Sequence, residues 1–175
     1  DLDTSRGLGD VYKRQQNTLM FFTSDNGAAK RFDGIHNSSG VMQGKKRSLN
    51  EGGIRVPMVV RWPGKIKAGR VSSHPWYFPD VMPTFAEIGG VSTEVPEDID
   101  GISILPTLLD KGVQKQHEYM FWQYGVRAVR SGKWKGIGKG GHLYLYDLSE
   151  DIEEKNDLSS NCLLYTSDAA DDLIG

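Results

Sequence analysis

Cysteine is nearly missing from this chain: Cys162 is the single one among 175 residues. One thiol closes no intramolecular disulfide and builds no thiolate metal site. Long apolar runs are missing as well, and none approaches the length of a transmembrane segment. Neither charge sign dominates, with 21 Lys and Arg against 23 Asp and Glu and a formal charge of -2. That balance argues against a broad nucleic-acid surface. The chain has no G-x-S-x-G elbow and no P-loop, which argues against serine hydrolases and nucleoside-triphosphate enzymes. Its four histidines, His36, His74, His117 and His142, are scattered without metal-ligand spacing. Each has surface or packing roles as its ordinary reading.

The two ends look foreign to the rest. The DNA GATGTGTATAAGAGACAG, a transposase-type sequencing adapter, encodes Asp10 to Gln15. Its reverse complement in a shifted frame encodes Cys162 to Ser167, and Asp168-Ala169-Ala170-Asp171 continues the partner adapter. We therefore expect Asp1–Gln15 and Cys162–Gly175 to be library artefact, outside fold reasoning. Between them, Gln16–Asn161 has no cysteine and nearly balanced charge. No signal peptide is legible, and nothing follows from that, because the natural N-terminus is expected to lie upstream.

What is present has the composition of a globular chain, 38% hydrophobic and 25% charged. Thr18–Thr23 is a short apolar run ended by Asp25-Asn26-Gly27, and it predicts a strand buried on both faces, as in a parallel α/β sheet. Residues 28–48 predict a long loop, and loops of that length are usually functional. Ile54–Trp62 predicts a second strand closed by Pro63-Gly64, with Pro57 near its start. Pro79–Ile88 predicts a helix stopped by Gly89-Gly90, with Pro83 tolerable in its first turn. A linker over Val91–Asp100 and a short helix over Ser103–Asp110 follow. Beyond Lys115, runs at Tyr119–Tyr124, Val126–Arg130, Lys133–Ile137 and Leu143–Leu148 predict an antiparallel meander. The expected organisation is a partial α/β domain over 16–115 and a small antiparallel β subdomain over 116–161.

Three features could carry chemistry. Asp25 and Asn26 offer hard oxygen donors suited to calcium or magnesium, at the end of a strand where open α/β sheets place sites. Taken alone, Asp25-Asn26-Gly27 reads first as a turn, since Asn-Gly is a strong hairpin signal. Lys46 could neutralise a sulfate or phosphate oxygen. With Lys45 and Arg47 beside it, the plain alternative is a solvated basic face. In Glu51-Gly52-Gly53-Ile54-Arg55 the glycines suggest backbone angles closed to other residues, and Glu51 and Arg55 could pair across the turn. Gly136-Ile137-Gly138-Lys139-Gly140-Gly141 matches G-x-G-x-x-G in form, but strand-like residues on both sides predict a hairpin instead of a dinucleotide loop.

The order and spacing of these segments resemble the C-terminal part of the formylglycine-dependent sulfatases, in the alkaline-phosphatase-like superfamily. The likeness runs from Thr23-Ser24-Asp25-Asn26-Gly27 through Lys46 and Glu51-Gly52-Gly53. It continues over Val59-Val60-Arg61-Trp62-Pro63-Gly64, Asp80 and Pro83-Thr84. It ends at Leu145-Tyr146-Asp147-Leu148 with Glu154 and Asn156-Asp157-Leu158.

The resemblance implies an α/β fold, a partial sheet with helices, followed by a small antiparallel β subdomain. It implies a sulfuric ester hydrolase of arylsulfatase or N-acetylhexosamine-sulfatase flavour, acting on sulfate esters, with sulfated sugars among the candidates. Asp25 and Asn26 carry over as Ca2+ ligands and Lys46 as a sulfate contact. The family nucleophile is a formylglycine made from a Cys-x-Pro-Ser-Arg segment, which this sequence does not contain. The expectation is therefore a piece of a longer enzyme, inactive alone, with an incomplete calcium site. Members of the family are commonly exported. Two other readings stay open: a phosphoesterase or phosphonate hydrolase of the same superfamily, and a non-catalytic module that binds sulfated glycans through Lys45, Lys46 and Arg47.

Overall fold

A computed structural model describes residues 14–32, 35–96 and 98–161. The ends read as artefact, apart from Arg14 and Gln15, lie outside the described residues. The chain divides into two compact units that alternate along the sequence. The first takes the N-terminal segment through Thr23 and Met58–Gln116; the second takes Ser24–Pro57 and the chain from His117 onward.

In the first unit, β1 (Met20–Thr23) pairs antiparallel with β2 (Met58–Arg61), Phe22 standing opposite Val59. One face is covered: the Phe21 ring meets Phe85 edge-on, with centroids 5.6 Å apart. The other is exposed, Phe22 at 72% and Val59 at 63%. The expected parallel strand with two buried faces is thus corrected. A continuous apolar run fixes neither the direction of its partner nor the cover on its second face. The second strand also starts later than its apolar pattern suggests, because Ile54 closes a one-turn helix, α1 (Glu51–Ile54).

Helix α2 (Val81–Gly89) follows a 3-10 turn at Phe78–Asp80. Pro83 falls in its first turn, where no backbone N–H is missed, and Gly90 ends it at φ 72°. Helix α3 (Leu105–Leu109) stops at Asp110, itself left-handed at φ 58°. Two fully buried polar side chains knit this unit. The Asp80 carboxylate accepts the N–H of Tyr77 at 3.0 Å and of Ile102 at 2.8 Å. The Thr84 hydroxyl donates to the Asp80 carbonyl at 2.6 Å and accepts the Ile104 N–H at 3.0 Å.

The second unit holds the meander: β3 (Met120–Gln123), β4 (Arg127–Ser131), β5 (Trp134–Lys139) and β6 (His142–Asp147), antiparallel in that order. Lys139 pairs with His142 across Gly140-Gly141, both at positive φ. The G-x-G-x-x-G match is therefore a hairpin, since two successive left-handed residues suit a tight two-residue turn. One face of the sheet carries Ala128, Ile137 and Tyr146, which form a core with Leu49 and Leu148. Leu49 directly follows the long loop, and both belong to this unit. No described helix is long and apolar enough to cross a membrane.

Candidate functional site

Asp25, Asn26 and Lys46 all fall in the second unit. Asp25 is exposed on the turn that follows β1, and Asn26 is half-buried. The turn is held locally by the Ser24 hydroxyl, which donates to the Asn26 carbonyl at 2.8 Å. Lys46 is exposed, Lys45 half-buried and Arg47 exposed at φ 76°, so the basic triplet does not present one uniform face. A left-handed non-glycine residue is uncommon and costs about 1–3 kcal/mol.

Backbone contacts bring these segments together. Gly27 N–H donates to the Gly53 carbonyl at 2.8 Å, and Lys46 N–H donates to the Ala28 carbonyl at 2.9 Å. Gly52 N–H donates to the Gln43 carbonyl at 2.6 Å. Three stretches of main chain (25–28, 42–48 and 51–54) thereby stack with almost no side-chain spacer. A Cβ on Gly27 would lie 1.9 Å from the Gly52 oxygen, and one on Gly53 would lie 2.1 Å from the Ser48 oxygen. A Cβ on Gly52 would lie 2.5 Å from the Gly44 oxygen. None of the three has a positive φ. This corrects the expectation for Gly52 and Gly53: they serve close approach of backbone to backbone, not unusual dihedral angles.

Glu51, at the head of α1, is buried. Its carboxylate meets Lys135 Nζ at 2.8 Å and Arg55 Nη1 at 3.5 Å. The expected Glu51–Arg55 pairing is present, but Lys135 is the nearer partner. Lys135 also meets Glu154 Oε1 at 2.8 Å, and Glu154 Oε2 accepts the Glu51 N–H at 2.7 Å. Sequence reasoning missed Lys135 altogether. A signal existed: strand alternation puts it on the same face as Ile137, and a lysine on a core face demands a buried acidic partner.

Asp157 closes the end of the sheet. Burial works to raise its pKa, but this is outweighed by N–H donors of Leu145 and Ser159, by His142 and by the Ser159 hydroxyl, which hold it down at about 2. Along residues 28–45, a cleft of about 450 Å³ is lined by Ala28, Phe32, His36, Ser39, Met42 and Lys45, among others. Its volume falls within the range of small-molecule sites.

Asp25 and Asn26 supply one carboxylate and one amide carbonyl, the oxygen donors a hard cation prefers, and both keep solvent access. Among the described residues, no three His, Cys, Asp or Glu side chains converge on a metal position. The pair therefore fits part of a calcium shell, which takes about 6–8 oxygens.

Comparison with known proteins identifies the family of the chain. Residues 43–166 match the family described as N-sulphoglucosamine sulphohydrolase, C-terminal. Mouse steryl-sulfatase is 40% identical over 133 residues, covering 69% of this chain and 21% of that protein. A sulfatase structure from work on glycosaminoglycan metabolism by Bacteroides thetaiotaomicron superposes at a TM-score of 0.70. It is 30% identical, with 87% of this chain and 37% of that one covered. A structure in complex with its substrate D-glucosamine-2-N,6-O-disulfate gives a TM-score of 0.68 at 26% identity, covering 94% and 34%. The chain spans about a fifth of the length of the curated relatives it matches. With its α/β fold and its match to the C-terminal region, the chain belongs to the sulfatase family.

Proposed function

We propose that this chain is part of a calcium-dependent sulfatase that hydrolyses sulfate esters of sugars, and that it contributes one half of the site. The reading is carried by the glycine stack, which ties the Asp25-Asn26 turn and the Lys46 loop to one another through Gly27, Ala28 and Gly53. A structural turn and a free basic loop would need no such mutual fixing. The resemblance to relatives with sulfated-sugar substrates supports the substrate class.

In this reading, Asp25 and Asn26 hold Ca2+, which when bound neutralises charge on the sulfate oxygens. Lys46, exposed at the surface of its loop, places a second positive charge against the sulfate. The nucleophile would be a formylglycine contributed by a Cys-x-Pro-Ser-Arg segment, and no residue of this chain matches that segment. The 175 residues alone should therefore not turn over.

The test is to recover the upstream reading frame, express the joined protein and assay aryl-sulfate and sulfated-hexosamine hydrolysis. Activity lost on calcium chelation, on Asp25→Ala and on Lys46→Ala supports the reading. Full activity in Asp25→Ala and Lys46→Ala, or turnover by the 175-residue chain alone, overturns it. Salt-sensitive retention on a sulfated polysaccharide without turnover by the joined protein would favour a binding module.

A further inference from the structure

Three buried charges take no part in the site as described. The side chains of Lys135 and Glu154 are 0% exposed and that of Glu51 is 2% exposed. Lys135 Nζ sits 2.8 Å from a carboxylate oxygen of each. Taking such ions out of water is expensive, and apolar replacements of a buried cluster are often as stable or more so. Net stability is therefore a poor reason for this one. Its hydrogen bonds point to geometry instead. Glu154 stands left-handed at φ 54°, a conformation sustained only where the surroundings over-determine it. Its Oε2 accepts the Glu51 N–H at 2.7 Å, and its carbonyl accepts Gln43 Nε2 at 3.0 Å. Glu51 and Gln43 are the residues from which the glycine stack departs: the Gln43 carbonyl takes the Gly52 N–H, and Gly53 takes Gly27.

We propose that Lys135 is a positioning residue for the half-site. Its ammonium, anchored on the rigid strand β5, pins Glu51 and Glu154. Through them it fixes the Gly52-Gly53 turn against residues 25–28 and 42–48. The sheet supplies rigidity and the loop supplies the groups that meet the ligand, a division that suits a site on a long loop. The inference rests on the sulfatase reading only for what Asp25, Asn26 and Lys46 do once held.

Amide hydrogen exchange of the 175-residue chain, resolved by residue, tests it without any turnover. In Lys135→Met the amides of Gly27, Lys46 and Gly52 should exchange at least about tenfold faster, while those of the β4–β5 ladder change by less than about twofold. Equal acceleration of all amides would reduce Lys135 to a general stabiliser and overturn the proposal. Unchanged exchange at Gly27 and Lys46 would overturn it too. Should Lys135→Met not fold, Glu154→Gln keeps an oxygen for the Glu51 N–H and removes one charge; the same local pattern, smaller in size, is expected, and its absence counts against the pin. A joined protein indifferent to Asp25→Ala and Lys46→Ala would sink the sulfatase reading and leave the exchange result standing.

Discussion

Replacing Gly27 by alanine adds one methyl group where there is no room for it. The new carbon would lie 1.9 Å from the Gly52 oxygen and 2.9 Å from both the Gly52 carbonyl carbon and the Gly53 Cα. Ordinary contact begins near 3.4 Å, so two backbone segments must part by about 1.5 Å. The bond from Gly27 N–H to the Gly53 carbonyl, now 2.8 Å, does not survive that movement. Overpacking costs about 1–3 kcal/mol and the lost hydrogen bond about 0.5–1.5 kcal/mol, so the sum is about 2–4 kcal/mol. Gly138→Ala is the control. It has nothing within 4 Å of its added carbon and no positive φ, so it should be neutral or gain about 0.4–1 kcal/mol. Urea unfolding followed by tryptophan fluorescence separates the two. With a slope of about 1–3 kcal/mol/M, Gly27→Ala should lower the midpoint by about 1–2 M while Gly138→Ala holds or raises it. Midpoints that agree within about 0.3 M would show that the loop yields freely and that the stack fixes nothing.

Thr84→Val should cost about 1–3 kcal/mol by leaving the buried Ile104 N–H without its acceptor, measured as a fall in urea midpoint. Asp157 has its carboxyl pKa lowered in the folded chain, to about 2. It therefore adds stability that is complete above the unfolded value near 3.8 and lost as pH falls towards 2. Thermal melts between those pH values should fall more steeply for the parent chain than for Asp157→Asn. Phe22→Ser, on the exposed face of β1, should lower light scattering on concentration without lowering the melting temperature by more than a few degrees.

Elements with a strong local signature were legible from sequence. The meander, its Gly140-Gly141 hairpin and the Pro83 helix each follow from turn chemistry or periodicity within a few residues. Strand direction at Thr18–Thr23 was not, because pairing with Met58–Arg61 is decided by the path of the intervening chain. Gly52 and Gly53 were legible as necessary glycines, but not for the right cause. Free space around a Cβ depends on Gly44, Lys45 and Ser48 folding back over them. Asp25, Asn26 and Lys46 are proposed through the resemblance alone, since each has a plain local reading as a turn or a surface charge. Lys135 shows the opposite limit. Its misplaced charge was visible in the strand pattern, yet its partners lie 84 and 19 positions away in directions no single sequence reveals.

The Glu51 anchor also has a consequence for timing. Glu51 finds Lys135 across 84 positions and Glu154 across 103. During synthesis, the loop bearing Lys46 emerges well before the strand and turn that hold it. Contacts of such long range close late, after the local hairpins have formed. The loop bearing Lys46 would thus remain unset until β5 and the turn at Glu154 have been made. A nascent chain arrested before Glu154 should leave Gln43 and Glu51 open to protease, while release of the finished chain closes them.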